Sequence, residues 1–257
     1  MNLRTQLVAL LTLLRKEYTR VFRIWVQTIV PPAMTTALYF LIFGNLIGKR
    51  IGKMDGFDYA QFIAPGLIMM QVITNAYGNV VSSFFAAKMQ RHLEEMLVAP
   101  MANWTIILGH AFGGVVRGLA VAATVTVVAL FFTDLHVAHP FITLSVIVLT
   151  AFVFSLGGLI NAVIAKSFDD VSIIPSFVLA PLSYLGGVFY SIALLPEFAQ
   201  KISLLNPILY MVNAFRYGML GVSDIDIGFA YAIIVAFAVG LFAFAMWLIR
   251  RGTGIRS

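Results

Sequence analysis

The stretch RHLEEMLVAPM, residues 91–101, sets Arg91, His92, Glu94 and Glu95 within five positions of one another between two long apolar runs. Two carboxylates, an imidazole and a guanidinium at that spacing are equipped for three kinds of work: proton transfer, metal ligation, or charge recognition of another macromolecule. Metal ligation requires donors converging from one helix face, and His92, His110, His136 and His139 share no such spacing. Hydrolytic chemistry lacks a His-Glu-x-x-His box and a serine with a base placed to activate it. Recognition fits better. Met89, Leu93, Met96 and Leu97 recur at helical intervals while Gln90, Arg91, Glu94 and Glu95 face elsewhere. Pro100 ends the turn just before the interfacial aromatic Trp104. The pattern predicts a short amphipathic helix carrying both charge signs, unlike a simple anchor on anionic lipid. Its methionine and leucine stripe suits a groove on a soluble partner.

Two other polar features bear on function. In GNLIGKR, Gly44 to Arg50, three residues separate the glycines and Arg50 follows the lysine; a phosphate-binding loop needs four, then Ser or Thr. The chain itself is therefore expected to bind no ATP and not to be an enzyme. Arg117 is the one formal charge deep in an apolar run, where insertion costs on the order of 3 kcal/mol, so it must face other helices, face a wet cavity or snorkel. Contact with a substrate or lipid phosphate and a bond to backbone carbonyls are both compatible with that position. All eleven Asp and Glu fall in connections or at the edges of the apolar runs. The midplane carboxylates on which ion-coupled carriers rely are thus missing from the pattern.

These groups must be positioned by elements whose nature the composition constrains. The chain is 61% hydrophobic and 11% charged, against about 25% charged in soluble domains. The charges cluster, leaving uncharged stretches of about 20 residues, the length that crosses a hydrocarbon core of about 30 Å at 1.5 Å per residue. The runs do not alternate polar and apolar residues as barrel strands do. An all-α, polytopic membrane protein is expected. There is no cysteine, so there is neither a disulfide nor a thiolate metal site. The net charge of +6 is read as basic residues flanking spans, not as a nucleic-acid surface. The first apolar run is too long for the core of a cleavable leader and leads straight into further runs.

Six transmembrane helices are expected near 26–47, 60–83, 105–131, 141–164, 172–193 and 229–249, forming a single permease-like domain over 1–257. Before them, residues 3–24 carry a stripe of Leu3, Leu7, Leu10, Leu14, Tyr18 and Val21 opposite Lys16, Arg20 and Arg23. This predicts an interfacial amphipathic helix, with a snorkelling extension of the first span as the other reading. With both termini cytoplasmic, eleven of the seventeen Lys and Arg fall on the inner side, although Lys49, Arg50 and Lys53 in the first outer connection run against the rule. Residues 194–221 are too apolar for a free loop and too interrupted, by Pro196, Asn206–Pro207 and Gly221, for a clean span. Two short helices re-entering the outer leaflet fit that stretch, as does an amphipathic cap on the outer face. Gly109–Gly113 and Gly114–Gly118 have the small-xxx-small spacing that permits close helix packing.

The segment KMQRHLEEMLVAPMANWTIILGHAFGG resembles the region after the second span in permeases of the type-2 ABC exporter family. Leu93, Glu94, Leu97 and Pro100 match, whereas Arg91–His92 stand where many members have Gly–Thr. The resemblance continues at FIAPGLIMM and at GGVFYSIALLPEFAQKISLLNPILYMVNAFRYGMLG, through Leu195–Pro196, Asn206–Pro207, Tyr210 and Arg216. It covers nearly the whole chain. It implies a homodimeric exporter permease of the bacterial inner (cytoplasmic) membrane, paired with two copies of a separate ATP-binding subunit that holds ATP and Mg. Residues 86–101, including Gln90, Arg91, His92, Leu93, Glu94, Glu95, Met96, Leu97 and Pro100, would be the helix coupling it to that subunit. The 194–221 segment, with Pro196, Asn206, Pro207, Tyr210 and Arg216, would gate the outer exit, and Arg117 is a further pathway candidate. Family members export drugs, lipid-linked glycans and polysaccharides, which leaves the substrate open. Other classes remain beside this one: an ion-coupled carrier or channel, a membrane enzyme, for which only scattered polar residues occur, and a scaffold that binds a cytosolic partner without transport.

Overall fold

The computed structural model describes residues 3–99 and 101–252; Pro100, named above as the stop of the coupling helix, lies outside the described residues. The chain is helical almost throughout. α1 (Leu3–Arg23) leads into α2 (Trp25–Tyr39), which continues through a π-helical stretch, Phe40–Ile47, into α3 (Gly48–Ile51). A two-residue hairpin follows, β1 (Lys53–Met54) with β2 (Phe57–Asp58), antiparallel and turned at Asp55–Gly56, both at positive φ. Asp-Gly is the dipeptide such a tight turn favours. Then come α4 (Tyr59–Met89), α5 (His92–Val98), α6 (Asn103–Leu130) and α7 (Pro140–Ile164). The next rod is α8 (Phe168–Ile174), π-helical Pro175–Leu179 and α9 (Ala180–Leu185); α10 (Glu197–Ser203), α11 (Pro207–Leu220) and α12 (Ile227–Arg251) complete the described residues.

Five rods among the described residues are long and apolar enough to cross a membrane: Trp25–Ile51, Asn103–Leu130, Pro140–Ile164, Phe168–Leu185 and Ile227–Arg251. α4 has the length, 31 residues, but not the apolarity, because Gln71, Asn75, Asn79, Ser82 and Ser83 dilute it. It is the central helix, packed against α6, α7 and α11 and buried along most of its length. A helix surrounded by protein is freed from the need for a lipid-compatible surface. The main apolar core gathers around it, from Phe62 and Leu67 to Val146, Phe215 and Ile234.

The rod Phe168–Leu185, fifth in chain order once α4 is counted and called the fifth rod below, begins and ends earlier than the expected 172–193. Its start is a capping box: Ser167 Oγ accepts from the Asp170 backbone N–H at 3.1 Å, while the Asp170 carboxylate accepts from the Ser167 and Lys166 N–H groups. KSFDD, expected as a connection, is thus the helix start. Its end is Gly186–Gly187, with Gly187 at φ +73°, after which Val188 lies against α4 at Gly66. A Cβ on Gly66 would stand 2.5 Å from the Val188 carbonyl oxygen, so α4 and this bend approach as closely as a glycine allows. Lys49 and Arg50 lie in the last turn of α3, where cations oppose the negative end of the helix dipole. That gives these two residues a local reason independent of sidedness.

α1 turns toward the protein a face that is largely distinct from its leucine stripe. Gln6, Leu13, Glu17 and Val21 are buried, whereas Leu3, Leu7, Leu11, Tyr18 and Phe22 stay exposed. Arg20, expected on the outer cationic side, turns inward. It donates to Glu17 Oε2 and the Asn79 carbonyl, each at 3.3 Å, and to Ser82 Oγ at 2.7 Å.

Candidate functional site

The segment 90–99 projects from the end of α4 at one pole of the bundle. α4 stops at Met89; Gln90 and Arg91 make the turn, with Arg91 in the left-handed region at φ +61°. α5 is a single short helix of seven residues. Leu93 is buried to 1% exposure in an apolar cluster with Phe84, Phe85, Ile106 and Ile107, and Met96 and Leu97 pack against the same cluster. Of the stripe, Leu93 is turned wholly into its own bundle, Met96 and Leu97 pack against that bundle while half-buried, and Met89 is exposed. Gln90, Arg91, His92, Glu94, Glu95 and Val98 form the outward surface. The physical reason is the solvent at the pole, where apolar side chains find the nearest dry surface in α4 and α6.

The base under α5 is held by polar contacts that connect separate helices. Lys88 Nζ donates to the carbonyls of Val163 and Ala165, both at 2.7 Å, so an ammonium closes the C-terminal end of α7. The Ala102 N–H and the Thr105 hydroxyl donate to Gln6 Oε1 at 2.7 and 3.0 Å, fastening α1 to the start of α6. Deeper along α1, Leu13 and Glu17 lie in the notches left by Gly109 and Gly113, so the first small-xxx-small pair receives α1. Gly114 and Gly118 face the other way, toward Ala76 of α4 and Ser155 and Ala151 of α7. Glu17 is fully buried, accepts from Ser83 Oγ at 2.7 Å and pairs with Arg20. A carboxylate taken as lying at a solvated edge is therefore enclosed by three helices. The signal in the sequence was the spacing Gln6, Leu13, Glu17, Val21 along one helix face, facing a Gly-x-x-x-Gly in α6.

Arg117 faces α2. Its Nη2 donates to the Gln27 carbonyl at 3.4 Å. In an α-helix that carbonyl would accept from residue 31, which is proline and has no N–H. The guanidinium replaces the donor that Pro31 removes, so of the two roles open in the sequence the structure shows the backbone one. Arg117→Met is accordingly expected to destabilise the fold by about 1–3 kcal/mol. Pro31→Ala, which restores an N–H, should reduce that loss in the double variant. Thermal unfolding of the four proteins in the cycle measures the coupling; strictly additive shifts would contradict this role.

The remaining candidates gather at the opposite pole, in α10 and α11. Pro196 is exposed and precedes α10. Asn206 caps α11, accepting from the Ile208 N–H at 3.0 Å, and donates to the Leu182 carbonyl of α9 at 2.7 Å. Pro207 occupies the first turn of α11, where a missing N–H costs nothing. Tyr210 donates to the Leu204 carbonyl at 2.7 Å. Arg216 is 1% exposed, lies 4.0 Å from the Phe62 ring centre and donates to the Gly187 carbonyl at 2.6 Å. Asn206 and Arg216 thus fasten α11 to the end of the fifth rod, Tyr210 ties it to the end of α10, Pro207 starts the helix between them, and Arg117 stands apart on α6. Asp224 was not singled out in the sequence. It accepts from Ser191 Oγ at 2.6 Å and from the Ile192 N–H, tying the same stretch to the α11–α12 connection. α11 is 14 residues long, about 21 Å, too short to cross a bilayer, and packs against α4, α7 and α12.

Long apolar helices around a buried polar-bearing α4, with a charged helix at one pole, define a multi-pass helical membrane protein. The ABC-2 type transporter family pattern matches residues 8–220, and the chain belongs to that family. It is 56% identical over 250 residues to the inner membrane transport permease YadH of Escherichia coli K12, covering 97% of this chain and 98% of that protein. It is 24% identical over 215 residues to nodulation protein J of Rhizobium leguminosarum bv. viciae, covering 83% of each. Nodulation protein J of Rhizobium meliloti is 22% identical over 238 residues, covering 92% of this chain and 91% of the relative.

Proposed function

We propose that the chain is the membrane-spanning permease of an ATP-driven exporter in a bacterial inner membrane, working as a homodimer with two copies of a separate ATP-binding subunit. Family membership and the 56% identity to a protein named as an inner membrane transport permease support this reading. The carrying observation is α5: its outer surface presents Arg91, His92, Glu94 and Glu95, and its inner side is locked into the bundle by Leu93, Met96 and Leu97. A helix gripped on one side and charged on the other passes a push from a docked partner to α4 and α6 without dissipating it in side-chain motion. α4 supplies the sixth crossing, and both termini lie on the cytoplasmic side with α5. ATP and Mg are bound by the partner; this chain contributes no cofactor site. α10 and α11 occupy the outer pole as the gate, whose hinge is the fastening at Asn206, Tyr210 and Arg216. Glu17, the one enclosed carboxylate described above, is paired with Arg20 and accepts from the Ser83 hydroxyl, which gives an ion-coupled carrier no free acid there.

The experiment is retention of an ATP-binding subunit by the tagged chain in mild detergent, comparing the native protein with Glu94→Lys plus Glu95→Lys. The native protein is expected to retain the subunit and its ATPase activity, and the charge-reversed protein to lose both while keeping its melting temperature, since both side chains are exposed. A native chain that retains no ATPase would contradict the proposal.

A further inference from the structure

The fifth rod does not close against the bundle. Its middle, Pro175–Leu179, is π-helical, and few side chains along Phe168–Leu185 are buried. Between it, α4, α7, α11 and α12 lies a cavity of about 310 Å³, whose deep wall is Tyr77, Phe154 and Leu179, each 8% exposed or less. Its mouth is formed by Val178, Phe237 and Phe244, exposed at 44, 40 and 42%. The mouth therefore opens on the outer surface of the rods, between the fifth rod and α12. Among the described residues that line it, Tyr77 alone carries a hydrogen-bonding side-chain group.

We propose that this cavity takes one acyl chain of a bilayer phospholipid. An apolar cavity does not fill with water; one of about 150 Å³ stays dry and takes up benzene. A void left empty forfeits the dispersion contacts of its lining. The mouth faces the one medium that offers hydrocarbon chains at high local concentration. The lining suits a methylene chain, and the polar phosphate has no counterpart inside, so the headgroup stays at the membrane surface. A chain seated there completes the packing of the fifth rod, the rod whose end Asn206 and Arg216 fasten to α11. The inference rests on the multi-pass membrane fold and not on the transport reading.

Gly157 provides the means of testing it. It lines the cavity, and a Cβ there meets only the Tyr77 ring at 3.8 Å, so a larger side chain extends into the space without displacing backbone. The protein is reconstituted in phosphatidylcholine vesicles containing a phospholipid with a diazirine in mid-chain, illuminated, and the labelled residues are mapped by mass spectrometry. Val239, 63% exposed on α12, reports ordinary lipid contact. Label is expected on Tyr77 and Phe154 as well as on Val239. Gly157→Phe should lower it about tenfold at Tyr77 and Phe154 while leaving Val239 unchanged. Val178→Trp, which narrows the mouth from an exposed position, should do the same should the first variant fail to fold. Label on Val239 with none on Tyr77 or Phe154 in the native protein would overturn the proposal, as would deep labelling indifferent to folded Gly157→Phe or Val178→Trp.

Discussion

Gly66→Val is expected to destabilise the protein by about 3 kcal/mol, the upper part of the range for overpacking a filled site. For a chain of this size that lowers the melting temperature by on the order of 10 °C. The reason is the backbone of Val188, which a Cβ at position 66 would meet at 2.5 to 3.0 Å from its oxygen, Cα and carbonyl carbon. That stretch cannot retreat cheaply. Gly187 before it is bonded by Arg216, and Phe189 after it accepts from the Tyr59 hydroxyl at 3.0 Å. Gly78 in the same helix is the control, because a Cβ there meets nothing within 4 Å. Gly78→Ala should leave the melting temperature unchanged or raise it slightly through helix propensity. Unfolding followed by size-exclusion after heating distinguishes the two; equal shifts would show that α4 does not meet the 187–189 stretch as described.

Glu17→Leu carries the second large effect. It removes the carboxylate that accepts from Ser83 and pairs with Arg20, leaving the Ser83 hydroxyl without its acceptor and Arg20 without its counter-charge, at a cost of about 2–3 kcal/mol. The sign of a second substitution decides the cause. Replacing both partners of an enclosed ion pair with apolar residues of similar size is close to neutral, so Glu17→Leu with Arg20→Met should recover much of the loss. Arg20 also donates to Asn79 and Ser82, so recovery is expected to be incomplete. Glu17→Gln, which keeps an acceptor for Ser83, should lose less than Glu17→Leu. A double variant as unstable as the sum of the singles would place the effect in shape and not in charge.

Much of the fold was legible because hydrocarbon imposes a length and a composition that no soluble domain shares. The runs that became α6, α7 and α12 differ from the expected spans by no more than two residues at either end. The fifth rod differed because its limits are set by local chemistry, the Ser167–Asp170 capping box and Gly187 at positive φ, and not by hydropathy. α4 was legible as a helix, but its being the central one was not, since burial among helices is a property of the assembly. The amphipathic character of α5 could be read from periodicity, whereas the direction in which its apolar side faced depended on α4 and α6 offering a dry surface. Arg117 was visible as a misplaced charge; its partner was visible only when Pro31 and Gln27 came beside it. Glu17 was missed because a carboxylate near the start of a chain looks solvated until the glycines of α6 are seen to receive it.

The absence of cysteine from the chain makes the central claim directly testable. Single cysteines at Glu94, Glu95 and Val98 on α5, and at Glu197 and Lys201 on α10, would be introduced one at a time, each position being exposed. Membranes containing the chain together with its ATP-binding subunit would be treated with a short thiol-to-amine cross-linker. The α5 positions should join the chain to that subunit, with a yield that changes when ATP is added, and the α10 positions should not. Cross-links to the subunit from α10 and none from α5 would contradict the account.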